Sequence, residues 1–559
     1  MRRPKAFTCA SLLALAAVLL LCSCDKDDSL RAEKGRSASA PSAQLLDLKP
    51  VTGGQLVEAT IGEPSNLIPP LSSDSSSHEV AEYLYVAPLK YDKNIKLVPQ
   101  AAEKFEVLEE GRLLRFTLRR DIRWTDGVPL TARDVEFTYK LMIDPKTPTA
   151  YAEDFLAVKQ FRLTGEYSFE VRYDKPFARA LVTWASAILP RHILEHEDLL
   201  STKYSREPIG AGPYVLKSWT NGDRLVLQAN PDYFEGRPYI DTVVMRIIPD
   251  QSTQFMELKA GNLDTINLTP QQYLYQTEGP GWTDSYSKFQ YLASAYTYLA
   301  YNLQSPLFSD VRVRQALEFA IDKDEIVRGV LSGLGTAANG PYMPGTWVYD
   351  TTIPANEFDP DRARHLLAQA GWTRKTPEGP LVNAKGQSFS FTILTNQGNS
   401  QRIKTAIIIQ SRLKDLGIHV EIRTVEWASF IKEFVNKGRY DALLLAWNIL
   451  QDPDLYDVWH SSKAVPGGLN FVGYKNAELD DLLERGRRTL DQTKRKAIYG
   501  KVQQILHRDQ PYCFLYIPMA LPMVHARVHG IEPAPAGISH NFIRWWIPQN
   551  LQHPELTQQ

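Results

Sequence analysis

SFSFTILT at 388–395, SQRIKTAIIIQSRLKDL at 400–416, IHVEIRTV at 418–425, ASFIKEFVN at 428–436 and YDALLLAW at 440–447 follow one another with almost nothing between them. The first, third and fifth segments are short and rich in β-branched, aromatic or aliphatic residues, so they read as strands. The second and fourth are helical and stop at Gly417 and near Gly438. Strand, helix, strand, helix, strand at this spacing requires right-handed crossovers and predicts an α/β sheet covered on both faces. Ligands of such sheets bind beyond the carboxyl ends of the strands. Here those ends are 395–400, Glu426-Trp427 and Trp447, so two indoles from consecutive strand ends meet at one predicted crevice. The plain alternative for both indoles is core packing. The loop with Asn396, Asn399 and Ser400 is either a solvated helix start or a set of free N–H groups suited to a ligand carboxylate or carbonyl.

Working outward, Asp359-Pro360 predicts a capped helix stopped at Gly371, and Asp310 caps another through Ile321. Nearer the N-terminus, 56–61 reads as a strand, 66–77 as a Pro- and Ser-rich loop and 80–89 as helical. A hairpin is expected at 105–118 around Glu110-Gly111, a capped helix from Thr131, and strands over 161–173 and 214–228. No repeat period shows. The 559 residues, 43% hydrophobic and 23% charged, suit a globular chain of two to four domains or lobes. Lys plus Arg is 63 against 64 Asp plus Glu, without long runs of either sign, which argues against a nucleic-acid partner. The 11 Trp and 26 Tyr exceed what a core needs for volume, and such rings often line ligand clefts.

Arg2, Arg3 and Lys5 precede an apolar run over 10–21, the pattern of a secretory signal, 1–23. Leu21-Cys22-Ser23-Cys24 resembles the bacterial lipobox, which implies that Cys24 becomes the lipidated first residue of the mature chain. Loss of 1–23 removes three positive charges and no acid, taking the net charge from −1 to −4. Residues 24–54 are expected to form a lipidated, flexible tether. Cys513 alone then remains unacylated; YCFLY at 512–516 reads as a buried strand with an inert thiol.

Catalytic patterns are sparse. HILEH at 192–196 has the spacing of an inverted zinc-protease motif, with His192 and His196 as ligands and Glu195 as base, but no third ligand follows by spacing. GAGP at 210–213 is a turn, because Pro213 removes an N–H that a phosphate loop would use. Asp452-Pro453-Asp454 is first of all a turn or helix-start signal. No catalytic residue, metal site or cofactor is expected.

LVPQAAEKF at 97–105, WTDGVPLTARDV at 124–135, GAGPY at 210–214, NPDYF at 230–234 and DVRVRQAL at 310–317 with AID at 320–322 together resemble the extracellular solute-binding proteins of peptide and nickel ABC importers. The resemblance implies a two-lobed, hinge-closing α/β receptor of the periplasmic-binding-protein type. Lobe one would span 55–294 with an extra subdomain at about 86–209, lobe two 295–518, and 519–559 would return to lobe one. In peptide-binding relatives a tryptophan after a glutamate and a second about twenty residues later line the cleft; Trp427 and Trp447 match these places. An aspartate that pairs with the peptide amino group lies three residues after the second. Leu450 stands there, leaving Asp452 as a substitute through a loop shift and favouring a blocked or non-peptide ligand. Ser75, His78, Asn396, Asn399, Ser400 and Tyr298 complete the implied ligand-binding set. Crossings between lobes are expected near 293–298 and 516–521. The implied role is a monomeric receptor that hands a peptide or similar solute to an ABC permease while lipid-anchored in the periplasm or on the cell surface. Alternatives are a zinc hydrolase using the HILEH segment, and a ligand-binding sensor or envelope peptide chaperone.

Overall fold

Two seven-stranded sheets organise the computed structural model, which describes residues 49–449 and 451–552. The lipobox, most of the tether and Leu450 lie outside the described residues. Gln55–Thr60 is the central parallel strand of the first sheet, pairing in register with Thr242–Ile247 on one side and touching Thr265–Asn267 on the other. Tyr214–Thr220, Arg224–Ala229, Tyr286–Lys288 and Pro522–His525 complete that sheet. The expected tether ends earlier than Gly54: Gly53 N–H donates to Tyr239 O, and Gly54 O accepts from Asp241 and Thr242, so these residues already belong to lobe one.

Ser390–Asn396 runs parallel to His419–Val425 and to Ala442–Asn448, which realises the crossovers expected from the sequence. The sheet is nevertheless mixed, because Ala442–Asn448 continues antiparallel to Ala295–Tyr301, and that strand antiparallel to Tyr512–Ala520. Alternation divides the apolar residues between its faces. Ala442, Leu444, Ile393 and Phe391 enter one core, and Leu443, Leu445, Leu394 and Tyr298 enter the other. Both faces are covered, and each fully buried leucine contributes about 1.5–3 kcal/mol.

A four-stranded antiparallel sheet, ordered Ala102–Leu108, Leu113–Leu118, Ser168–Arg172 and Gln160–Gly165, forms the additional subdomain of lobe one. Its stacked Phe116 and Phe169 share a core with Phe155, Phe177 and Trp184. The chain leaves the first sheet after Lys288 and joins the second at Tyr291; it returns between Ala520 and Pro522.

Two local readings change. The helix expected at 80–89 is Ser75–Leu84, started by Asp74, whose side chain accepts from Ser77 N–H; the serine run hid the cap. The helix expected at 428–436 is a short turn, Trp427–Ser429, widening into Phe430–Val435 with i→i+5 hydrogen bonds. Cys513 is fully buried, and burial raises its thiol pKa well above the ordinary value.

Candidate functional site

The seam between the lobes begins at the cap of Ser75–Leu84. Asp74 is held by Ser77 N–H at 2.9 Å and Ser77 Oγ at 2.8 Å, and Trp427 Nε1 of lobe two donates to its Oδ1 at 3.4 Å. Gly62 passes directly beneath this indole; a Cβ there would lie 2.4 Å from Trp427 Cβ. Trp427 is 6% exposed, and Glu426 before it caps the turn by accepting from Ala428 and Ser429 N–H. Trp427 thus closes the seam, with lobe one covering it.

Helix Ser75–Leu84 buries Ser76, Ser77, Val80, Ala81 and Leu84, which leaves Ser75, His78, Glu79 and Glu82 on the opposite face. His78 Nε2 lies 3.2 Å from Ser72 O, and its ring is 6.1 Å from Tyr151. Glu79 and Glu82 are exposed, yet desolvation by the surrounding protein pushes both carboxyls up, Glu79 to about 8 with Glu58, Glu82 and Asp74 adding to the effect. Glu58, on the central strand, is likewise raised by burial to about 7, while Tyr83 Oη donates to it at 3.2 Å. Among the described residues no ion pair reaches these three glutamates.

Across the seam, Trp447 is half-buried, with Nε1 donating to Tyr512 Oη at 3.3 Å and its ring stacked 5.8 Å from Phe471. Tyr298 is not a wall residue. It is 1% exposed, stacked on Tyr512 at 4.3 Å, and supports Trp447 from inside the core.

The loop 396–400 is also differently used from its expected role. Ser400 N–H and Oγ donate to Gln251 Oε1 of lobe one at 2.9 and 2.8 Å, and Gln251 N–H donates back to Gly398 O at 3.2 Å. Asn399 Oδ1 caps helix Ser400–Asp415 through Arg402 N–H, and Asn396 is 1% exposed. The N–H and hydroxyl of Ser400 are therefore engaged in joining the lobes, while Gln397 N–H donates to Val425 O within lobe two. Gly398 makes this possible: at φ 78° it sits so close to Pro249 that a Cβ would come within 2.2 Å of its carbonyl oxygen.

Arg402, which the sequence reading passed over, donates from Nη1 to Asn396 Oδ1 at 2.7 Å and has no carboxylate partner among the described residues. Burial lowers its pKa, with Tyr516 and Tyr298 nearby. A guanidinium placed in the first turn of a helix, where acids are favoured, was the signal available. Such a group can hold an anionic or carbonyl portion of a solute.

Asp452 is not free to receive a ligand amine. Arg495 binds both its oxygens, at 2.8 and 2.9 Å, so its charge is already compensated within the protein. The HILEH segment forms no joint site: His192 Nε2 lies 2.7 Å from Asp126 Oδ2, Glu195 pairs with Arg191, and His196 is exposed. Among the described residues no group of three His, Cys, Asp or Glu is placed to hold a metal.

The sequence model described as bacterial extracellular solute-binding proteins, family 5 Middle, matches residues 96–466. This chain belongs to that family. It is a solute-binding receptor of the peptide and nickel ABC importer class, and the hydrolase alternative has no support in either geometry or relatives. Among family 5 relatives, the oligopeptide-binding protein AppA of Bacillus subtilis is 34% identical over 98% of this chain and 99% of its own. The structure of that protein in complex with a nonapeptide has a TM-score of 0.85 at 33% identity, covering 89% of this chain and 100% of the other. A probable di/tripeptide-binding protein of Pseudomonas aeruginosa is 28% identical over 89% of this chain and 96% of its own. DppA of Helicobacter pylori in complex with the peptide STSA has a TM-score of 0.80 at 25% identity, covering 89% and 99% of the two chains. The two-lobed fold and the extracellular placement of this family follow for the present receptor. No helix among the described residues is long and apolar enough to cross a membrane.

Proposed function

We propose that this family 5 receptor captures extended oligopeptides, or amphipathic solutes of similar size, between its lobes and delivers them to an ABC permease. The observation that carries this is the alignment, over 89% of this chain, with a nonapeptide-bound relative; Ser75, His78, Glu79 and Glu82 on the outer face of a lobe-one helix and half-buried Trp447 of lobe two support it. Trp447 offers an apolar platform that accepts varied side chains. The Glu79 carboxyl, raised by desolvation and by the neighbouring Glu58, Glu82 and Asp74, is able to donate to a peptide carbonyl when protonated. Arg402 supplies the complementary cation. Because Asp452 is neutralised by Arg495, a free peptide amine finds no carboxylate there, and blocked or internal peptide segments are favoured.

Two chain crossings, at 288–291 and 520–522, form the hinge of this reading. Lipidation of Cys24 holds the monomeric receptor at a membrane, each buried methylene contributing about 0.8 kcal/mol. Mass spectrometry of the ligand released on denaturing protein from its own source tests the proposal. Oligopeptides are expected; a homogeneous sugar or metal chelate would overturn the peptide reading and leave the receptor role intact.

A further inference from the structure

Six charged side chains, each 3–11% exposed, meet where the subdomain of lobe one touches lobe two. Asp154 and Arg179 come from the subdomain, whose core holds their neighbours Phe155 and Ala180. Asp452 and Asp454 follow strand Ala442–Asn448, and Arg487 and Arg495 come from helices Ala477–Arg488 and Gln492–Asp509. Within lobe one, Arg179 Nη2 is 2.7 Å from Asp154 Oδ2. Within lobe two, Arg487 Nη2 is 2.7 Å from Asp454 Oδ2, and Arg495 Nη2 is 2.8 Å from Asp452 Oδ1. Between lobes, Arg487 Nη2 reaches Asp154 Oδ1 at 2.9 Å, Arg179 Nε lies 3.5 Å from Asp454 Oδ2, and Ala178 N–H donates to Arg487 O at 2.7 Å. Lys463 and Glu153 pair beside them across the same seam at 2.5 Å.

The division of charge decides what this arrangement can do. Removing one partner from a buried ion pair leaves an uncompensated charge and is strongly destabilising. Separating these lobes leaves none: Asp154 keeps Arg179, Asp454 keeps Arg487 and Asp452 keeps Arg495. Only the bridges between lobes are exchanged for water. The two states of the network therefore lie close in free energy, which suits an element that must form and dissolve at every cycle.

We propose that these three self-neutral pairs are an interlobe latch, with Arg487 and Asp154 as the positioning residues that fasten the loop after Trp447 to the subdomain when the lobes close. Tyr342 Oη, donating to Pro453 O at 2.8 Å, fixes the same loop to lobe two, so docking the loop and setting the edge of the binding wall are one event. The proposal rests on the hinge-closing reading above.

Hydrogen exchange of the whole ligand-free protein tests it, because the Ala178 amide reports the seam directly. In wild type, exchange at Ala178 is expected to be faster than in the central strands of both sheets, through opening short of global unfolding. Asp154→Asn should accelerate Ala178 at least tenfold, but it also takes from Arg179 its partner within lobe one and so lowers global stability; the selective readout, with those strands within twofold, is Arg487→Lys. Arg487→Lys, which retains the charge opposite Asp454 but not the geometry to bridge two carboxylates, should act in the same direction and guards against a folding defect in the first variant. Asp264→Asn, which breaks the Arg527 pair internal to lobe one, should destabilise the first sheet without selective acceleration at Ala178. If Ala178 exchanges only at the global unfolding rate in wild type, the lobes do not open and both hinge and latch are overturned. Selective opening in wild type that neither variant alters would overturn the latch alone.

Discussion

Half-buried Trp447 is held by Tyr512, Phe471 and Tyr298, so its orientation is set before any ligand arrives. Trp447→Ala is expected to weaken binding of the co-purifying solute by at least tenfold, about 1.4 kcal/mol, by calorimetry. An unchanged affinity would remove Trp447 from the wall. Asp452→Asn belongs to a different class. It leaves Arg495 buried without its counter-charge, so the expected result is a loss of about 3–5 kcal/mol of stability in denaturant titration, and not a selective loss of amine-bearing ligands.

At the scale of elements, Ser75–Leu84 is two-faced, one face burying Val80 and Leu84 and the other carrying Glu79 and Glu82. Glu58 and Glu79 have folded pKa values raised from 4.5 to about 7 and about 8. Between those limits the folded state binds more protons than the unfolded, so the stabilisation is fully present below about pH 4.5 and is lost as pH rises through 7 to 8. Scanning calorimetry should show Tm falling from pH 6 to 9, with a smaller fall in Glu79→Gln; equal slopes would mean that Glu79 does not titrate there. In lobe two, Leu444→Ala is expected to cost about 2–5 kcal/mol, since this side chain is fully buried in the core between sheet and helices.

For the whole molecule, two chain crossings join the lobes, and Trp427 with Asp74, Ser400 with Gln251 and the charged network bridge them. Small-angle scattering should show compaction when the native solute is added, and an unchanged radius at saturation would exclude hinge closure. Cys24→Ser should release the protein from the membrane; retention of an unlipidated chain would refute the anchor.

The alternating strand and helix pattern of 388–447 sufficed to determine the crossovers, because period-2 and helical apolar spacing are local properties of a chain that must bury one face of each element. It also marked Trp427 and Trp447, since strand ends can be counted. What it could not determine was occupancy. Whether the amide of Ser400 is free depends on Gln251, 149 residues away, and whether Asp452 is available depends on Arg495, 43 residues away. Partners brought together only by the tertiary fold leave no periodic trace along the chain, so the tertiary structure alone decided which of the marked groups hold the protein together.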